Sequence, residues 1–573
     1  MATTHSAPAA AVEATDDGGL SHKQILTILS GLMLGMFLAA LDQTIVSTAI
    51  RTIGDDLNGL SVQAWVTTAF LITSTIATPL FGKLSDIYGR KPLFMIAITI
   101  FVAGSALCGL AQSMYMLAGF RALQGIGAGG IMPLALAIIG DIIPPRERAR
   151  YQGYFMAVFA TSSVLGPVIG GFLAGQSHLF GVPGWRWIFY INVPIGALAL
   201  FVVQAVLKLD HTRRQSRIDW GGAAVLAAGL VPLLIIAEQG RTWGWASIGA
   251  FTCYILGVAG LIGFVLVERR MGDDALLPIR LFRNRVFALG SVQATIIGMG
   301  MFGGIASIPL YLQIVKGASP TKSGLLLLPL IGGLMVASLA SGQITSRTGR
   351  YKIFPVVGSV FMVVGMLLLT QTAADTPLWQ TDIFMAVFGL GLGMNMQSIV
   401  LAMQNSADPR DMGVATSSVT FFRQVGGSLG TAIFLSILFS RAATNVPAEL
   451  KKAGVSGSAG GSFDLNDTSG IGKLPEQIKH PILVGFSNAM DTVFLVAAIV
   501  LVLAVVVSSV MKEVPLRTMS GQQAARSAAA AAAPAADGVT DAQTPTGDEP
   551  GAQPEAGTNG SVGLGKHPLR KNT

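Results

Sequence analysis

Apolar stretches long enough to cross a bilayer recur along this chain, and no other feature limits its fold as strongly. About 20 apolar residues in a helix span a hydrocarbon core about 30 Å thick. In lipid such a segment must satisfy its own backbone N–H and C=O groups, so it folds as a helix or as part of a closed barrel. Fourteen stretches qualify, at about 24–50, 61–81, 92–111, 114–140, 151–175, 187–207, 219–238, 247–267, 286–312, 323–343, 353–371, 380–404, 413–440 and 489–511. Charged residues make up 12% of the chain, about half the share found in soluble domains. The expected class is an all-α polytopic membrane protein with 14 transmembrane helices. Cys108 and Cys253 both fall inside apolar stretches, so no disulfide and no metal site is expected.

The basic residues orient these spans, because short cytoplasmic loops collect Lys and Arg. One set of alternate loops holds Lys83, Arg90, Lys91, Arg146, Arg148, Arg150, Lys208, Arg213, Arg214, Arg217, Arg269, Arg270, Arg280, Arg283, Arg285, Arg347, Arg350, Lys352 and Arg410. The other set holds Arg51, Arg186, Arg241, Lys316 and Lys322. The first set is expected in the cytoplasm, which places both termini inside a multi-pass cell-membrane protein. The net charge of +8 is then a matter of topology, and no nucleic-acid partner is expected. The expected organisation is a disordered N-terminus (1–22), a first six-helix half (23–210), two inserted helices with a basic linker (211–285), and a second six-helix half (286–511) with an external loop at 441–488. An Ala/Pro/Gly-rich tail, 512–573, lacks the apolar content to dock and is expected to be disordered.

Within the fourth span, "RALQGIGAGGIMP" sets Gly125, Gly127 and Gly130 at the spacing of a dinucleotide-binding loop. That loop needs a strand before it and a soluble helix after it. Here the glycines lie inside an apolar span, where they let a neighbouring helix approach closely. Arg121 lies about seven residues past the outer end of the span, hence roughly 10 Å deep. Arginine at that depth is costly unless paired or hydrated. Arg121, Gln124, Gly125 and Ala128 share one stripe at i, i+3, i+4, i+7, which is expected to line a polar cavity; a tie between helices is the plainer reading. Asp42, in "LDQTIVSTAI", reaches almost the same depth from the first span. It is either a protonation site or half of a fixed ion pair. A weak repeat links "GKLSDIYGRKP" (82–92) to "GQITSRTGRYK" (342–352), with Gly82, Gly89 and Arg90 answering to Gly342, Gly349 and Arg350. Parallel repeats of this kind build rocking transporters.

Taken together these stretches resemble the major facilitator superfamily, and specifically its fourteen-helix drug:proton antiporter family, over about residues 24–511. "LDQTIVSTAI" resembles the family's first-helix motif, "GKLSDIYGRKP" its loop 2–3 motif, "RALQGIGAGG" its fourth-helix motif and "SSVLGPVIGGFLAG" its fifth-helix antiporter motif. "WRWIFYINVPIG" and "FFRQVGGSLGTAI" are typical of the fourteen-helix branch. The resemblance implies a major-facilitator fold and proton-coupled export of hydrophobic or amphipathic compounds, with no cofactor and with function as a monomer.

It also implies roles for particular residues. It agrees with the roles expected from depth, Asp42 as the protonation candidate and Arg121 as the cation that tunes it. Gly82, Asp86, Gly89, Arg90, Gly342 and Arg350 belong to gating loops, with Asp86 bracing the start of span thirteen near Asp411–Gly413. Asp86 and Arg90, i and i+4, are expected to pair on one helical turn. Gly166, Pro167, Gly170 and Gly171 bend and pack the fifth helix. Gln124, Asn395, Gln397 and Arg423 are candidates to line the cavity, interhelical hydrogen bonding being the other reading for Asn395 and Gln397. Members of the family specialised for divalent lipophilic cations carry an acidic residue in the tenth span; this chain has none there, so the resemblance disfavours that specificity. Export of an endogenous lipid, siderophore or metabolite is a second functional reading. A non-transporting sensor is a third, opposed by the intact loop motif. No Ser/His or metal-ligand constellation points to an enzyme.

Overall fold

A computed structural model describes residues 22–57, 62–144, 147–207, 217–454, 471 and 474–517. Seventeen α-helices follow one another: α1 (His22–Asp56), α2 (Ala64–Tyr88), α3 (Arg90–Gly109), α4 (Met114–Ile142), α5 (Arg148–Ala174), α6 (Trp187–Tyr190), α7 (Asn192–Val206), α8 (Trp220–Trp243), α9 (Ile248–Met271), α10 (Ile279–Arg283), α11 (Arg285–Ile314), α12 (Pro320–Leu326), α13 (Leu328–Thr348), α14 (Ile353–Leu369), α15 (Leu378–Ser406), α16 (Met412–Lys452) and α17 (Glu476–Val510). Thirteen helical segments among the described residues are long and apolar enough to cross a membrane, with α6, α7 and the turn before them (Gly184–Val206) counting as one, and α14, with 17 residues, is a shorter apolar helix at the eleventh expected span. A two-residue hairpin turn, Phe180–Gly181 with both φ positive, joins the small strands His178–Leu179 and Val182–Pro183.

The helices form two bundles. In the first, α2 and α3 flank α4, and α1 packs on α5 and α7. In the second, α13 and α14 flank α15, and α11 packs on α16 and α17. The bundles meet along two seams, α2 with α16 and α5 with α12 and α13. The inserted hairpin α8–α9 lies against α2 and α16 through α8. Its α9 leaves Ile248, Phe251, Ile255, Val258 and Ile262 exposed, as expected of a lipid-facing helix that packs, among the described residues, mainly on α8.

Two expected boundaries are corrected. The 441–488 connection is helical at both ends, because α16 runs on to Lys452 and α17 begins at Glu476. Ala442 and Val446 continue the buried stripe of α16 at i, i+4, so apolar packing persists where polar residues between them read as loop. At the other end, 512–517 is docked rather than free. Glu513 accepts the N–H groups of Tyr351 (2.8 Å) and Lys352 (3.3 Å), and Val514 N–H donates to Tyr351 Oη at 3.1 Å. Residues 1–21 and 518–573, expected to be disordered, lie outside the described residues, as do 455–470 and 472–473.

Candidate functional site

The glycines of α4 set the geometry of the first bundle. A Cβ on Gly125 would lie 2.5 Å from the carbonyl oxygen of Phe70, and one on Gly129 would lie 2.9 Å from the Ala77 side chain, both on α2. On the opposite side, a Cβ on Gly127 would lie 2.5 Å from Ala97 O on α3. The fingerprint-like spacing thus serves a helix wedged between two backbones. That close approach lays the Phe70 ring over the Arg121 guanidinium, 4.1 Å from its centroid, a favourable contact for a desolvated cation.

Four helices deliver side chains to this point. Arg121 NH1 donates to Asp42 Oδ2 at 2.5 Å and to Gln124 Oε1 at 2.8 Å. Gln124 Nε2 donates to Asp42 Oδ1 at 2.9 Å, and Asn192 Nδ2 donates to the same oxygen at 2.8 Å. Asn192 Nδ2 also reaches Ser105 Oγ (2.9 Å), whose hydroxyl donates to Phe189 O (2.9 Å). Asp42, Gln124, Asn192 and Ser105 are each 0% exposed and Arg121 2%. Arg121 Nε and Asn192 Oδ1 are buried with no hydrogen-bond partner among the described residues. Removing either ion from such a pair strands the other, at a cost of about 3–5 kcal/mol. Protonating Asp42 cancels the pair and leaves three donors facing a carboxyl group that itself carries a proton. The ion pair thus ties α1 to α4, and Asn192 and Ser105 bring α7 and α3 into the same buried network.

The second arrangement sits where α2 meets α16. A Cβ on Gly82 would lie 2.5 Å from Ser417 Cβ, so only glycine allows these helices to cross so closely. Asp86 Oδ1 and Oδ2 accept the N–H groups of Gly413 and Val414, each at 3.0 Å, where the helix dipole favours an anion. Arg90 NH1 pairs with Asp86 at 2.5 Å, and Arg90 Nε with Asp141 Oδ2 at 2.8 Å. The pair does not sit on one helical turn as expected. Asp86 lies in the last turn of α2, which ends at Tyr88, Arg90 begins α3, and Gly89 between the helices takes φ 99° to make the bend.

Other contacts fasten the same end. Arg148 NH1 donates to Gln404 Oε1 across the halves, while Gln404 Nε2 reaches Thr416 Oγ1 at 2.8 Å. Lys83 Nζ donates to Asp273 O at 2.7 Å, and Arg280 joins Asp273 Oδ1 (2.6 Å) to Asp411 Oδ1 (2.9 Å). The hydrogen bond to Asp411 contributes most to raising the Arg280 pKa above its ordinary value. None of these cross-half partners was foreseen, because pairing them requires the register between the two bundles.

The expected cavity-lining residues separate. Gln124 is fully buried inside the Asp42 cluster, so it lines no cavity. Asn395 is likewise buried; its Nδ2 donates to Gly391 O at 3.0 Å, and its Oδ1 lies 3.4 Å from Gln293 Nε2, so it ties helices together. Gln397 is half-buried, and its amide has no hydrogen-bond partner among the described residues. Arg423 is partly exposed and lies on α16 beside Gly298 of α11. In α5, a Cβ on Gly166 would lie 2.5 Å from Thr44 Cβ, Gly170 faces Ile45 of α1, and Pro167 meets Gly324 of α12, whereas Gly171 is exposed.

The repeat loop differs from its counterpart. Gly342 is buried in α13, Arg350 is exposed without an ion pair among the described residues, and Ser346 stands at the position of Asp86. Sequence reasoning passed over Asn192 and Ser105. A single Asn in "YINVPIG", five residues inside the sixth expected span, and a Ser in an apolar run give no sign of which neighbour they face. Among the described residues, no group of three or more His, Cys, Asp or Glu is placed to hold a metal ion.

The Major Facilitator Superfamily model matches residues 32–431. The chain is 35% identical over 498 residues to Multidrug resistance protein 3 of Bacillus subtilis, covering 86% of this chain and 96% of that protein. It is 37% identical over 415 residues to Multidrug transporter protein MdtP of the same organism, covering 72% of this chain and 75% of the relative. The Acurin A biosynthesis cluster MFS-type transporter of Aspergillus aculeatus is 33% identical over 423 residues, covering 72% and 75%. Among solved structures, the proton:xylose symporter XylE bound to 6-bromo-6-deoxy-D-glucose matches with a TM-score of 0.54 at 16% identity, covering 88% of this chain and 99% of that one. A bacterial homolog of the human lysosomal transporter Spinster, inward-facing and unoccupied, gives a TM-score of 0.53 at 17% identity, covering 85% and 97%. At these identities the structural likeness is one of fold.

Proposed function

Because this chain belongs to the major facilitator superfamily of membrane transporters, we propose that it exports hydrophobic or amphipathic compounds across the cytoplasmic membrane in exchange for protons. The observation that carries this reading is the Asp42 cluster, a carboxylate with no exposure, held by Arg121, Gln124 and Asn192. Such a group is expensive to bury for packing alone and is suited to exchanging a proton as access alternates. The clamp around Asp86 supplies the gate. With the basic loops in the cytoplasm, both termini are inside and the clamp seals the cytoplasmic end. Releasing it while a second closure forms outside is the rocking movement expected of two parallel repeats. The gating roles of Gly82, Gly89 and Arg90 follow from the same contacts, while Gly342 and Arg350 contribute through the fold of their own half. The monomer, which contains both bundles, is the transporting unit.

The multidrug names of the two Bacillus relatives support drug-like substrates. The biosynthesis-cluster relative favours a second reading, export of an endogenous product. Everted membrane vesicles with an imposed proton gradient test the proposal. At least one hydrophobic compound from a broad panel accumulates and dissipates the gradient on addition. A panel including lipids and siderophores that never draws on the gradient refutes it, and response only to the endogenous class selects the second reading.

A further inference from the structure

We propose that Arg423 holds a fixed positive charge in the cavity between the two halves and selects substrates that carry an anionic group. This rests on the export reading above and narrows its substrates to amphipathic anions. Three contacts define the faces of α16. Gln424 Oε1 accepts from Thr78 Oγ1 at 3.3 Å, so that side faces α2. Ser436 Oγ accepts from Trp245 Nε1 at 3.2 Å, so another side faces the inserted hairpin. Gly426 and Gly430 press on Thr295 and Met299, so a third faces α11. At about 100° per residue, Arg423 points roughly 140° away from Ser436, between the α2 and α11 sides. Its side chain therefore leaves α16 towards the interior and away from the inserted hairpin.

Arg423 lies 11 residues beyond Met412, roughly 16 Å into the span. Uncompensated arginine at that depth costs several kcal/mol. Arg121, the other deep arginine discussed above, has a carboxylate partner at 2.5 Å. Arg423 has none among the described residues, nor any side-chain hydrogen bond or ring contact there. Distance along the helices accounts for the nearby carboxylates. Val446 packs opposite Gly485, which places Asp491 roughly 25 Å along the axis from Arg423. The contacts Gln293–Asn395 and Gly298–Arg423 place Asp382 roughly 12 Å along it. The charge is thus left for water in the cavity or for a ligand. A guanidinium offers a planar set of donors that matches carboxylate, sulfonate or phosphate, and it repels a cation in the same space.

The test uses full-length protein in phosphatidylcholine nanodiscs. Fluorescence anisotropy compares fluorescein, an anion, with rhodamine 6G, a cation on the same xanthene ring system. Fluorescein binds the wild-type protein more tightly. The affinity ratio falls about tenfold in Arg423→Gln and is kept in Arg423→Lys. Equal or reversed affinities in wild type overturn the proposal without recourse to a variant. So does an unchanged ratio in Arg423→Gln, or an equal loss of both dyes, which marks a helix tie. Gradient-driven uptake of the same dyes into proteoliposomes separates this inference from the reading beneath it. Charge-selective binding without transport of either dye supports the charged site and counts against export, whereas transport that ignores residue 423 overturns the site and leaves export standing.

Discussion

Replacing Asp86 with Asn removes a negative charge from the end of α2 while nearly preserving the shape of the side chain. The carboxylate accepts two backbone N–H groups from the start of α16, both at 3.0 Å. Asn keeps one acceptor and turns an NH2 group towards the other donor. The loss is one hydrogen bond to a charged group, about 1.5–3 kcal/mol, together with part of a helix-terminus contribution of up to about 2 kcal/mol. The Asp86 side chain is only 6% exposed, so solvent screens little of this. Arg90 retains Asp141 at 2.8 Å, and the Arg148–Gln404 contact still spans the halves. A net weakening of about 2–3 kcal/mol moves the closed–open equilibrium of this end by about 30- to 150-fold, since each 1.4 kcal/mol is a factor of ten. Spin labels at the exposed positions 88 and 410, introduced as Tyr88→Cys and Arg410→Cys with Cys108 and Cys253 replaced by Ala, report the separation by double electron–electron resonance. The parent protein gives one short distance, and Asp86→Asn adds a longer population. Superimposable distance distributions would refute the reasoning.

Asp42→Asn abolishes substrate-induced proton release from purified protein while permitting some downhill substrate movement; undiminished release moves the coupling site elsewhere. Gly125→Val forces a side chain against Phe70 O, where a Cβ alone would lie 2.5 Å away, and costs about 3 kcal/mol or more; an unaltered melting temperature in detergent contradicts the packing account of the α4 glycines. Deleting 518–573 leaves the melting temperature unchanged, whereas deleting 512–573 also removes Glu513 and Arg517, whose bonds to Tyr351, Lys352 and Ala407 are together worth on the order of 2 kcal/mol. Equal melting of the two truncations argues against docking of 512–517. An impermeant thiol reagent labels Gly460→Cys from outside and Thr540→Cys only after the membrane is opened; the reverse pattern inverts the topology.

The spans were legible because their composition leaves a chain in lipid few alternatives, and the depths of Asp42 and Arg121 followed from counting residues along a helix. The facing of residues was not legible. Helices that are apolar all round carry no amphipathic stripe to tell interior from cavity, so lining a cavity and tying helices together stayed open as alternatives for Gln124 and Asn395 until their full burial was seen. Asn192, inside the sixth expected span, was not singled out, although it provides the third donor to Asp42. The Asp86 contact to the start of α16 was nameable only through a motif. Arg148–Gln404, 256 residues apart in sequence, belongs to no motif and follows only once the bundles are set in register.

The length of α16 has a practical side. Its 41 residues extend about 60 Å, twice the thickness of a hydrocarbon core. The surplus turns project from the bilayer alongside the start of α17, where a Cβ on Gly485 would lie 2.7 Å from Val446 Cα, so the protrusion is a packed pair of helices. Membrane proteins of this size give electron microscopists little to align on, since most of their mass is hidden in the micelle. A binder raised against this pair, or a helical fusion continuing from it, would be an alignment marker rigidly joined to the helix that also bears the start-of-helix amides, Arg423 and Gln424. Its tilt in projection images would report directly on the rocking proposed for the second bundle.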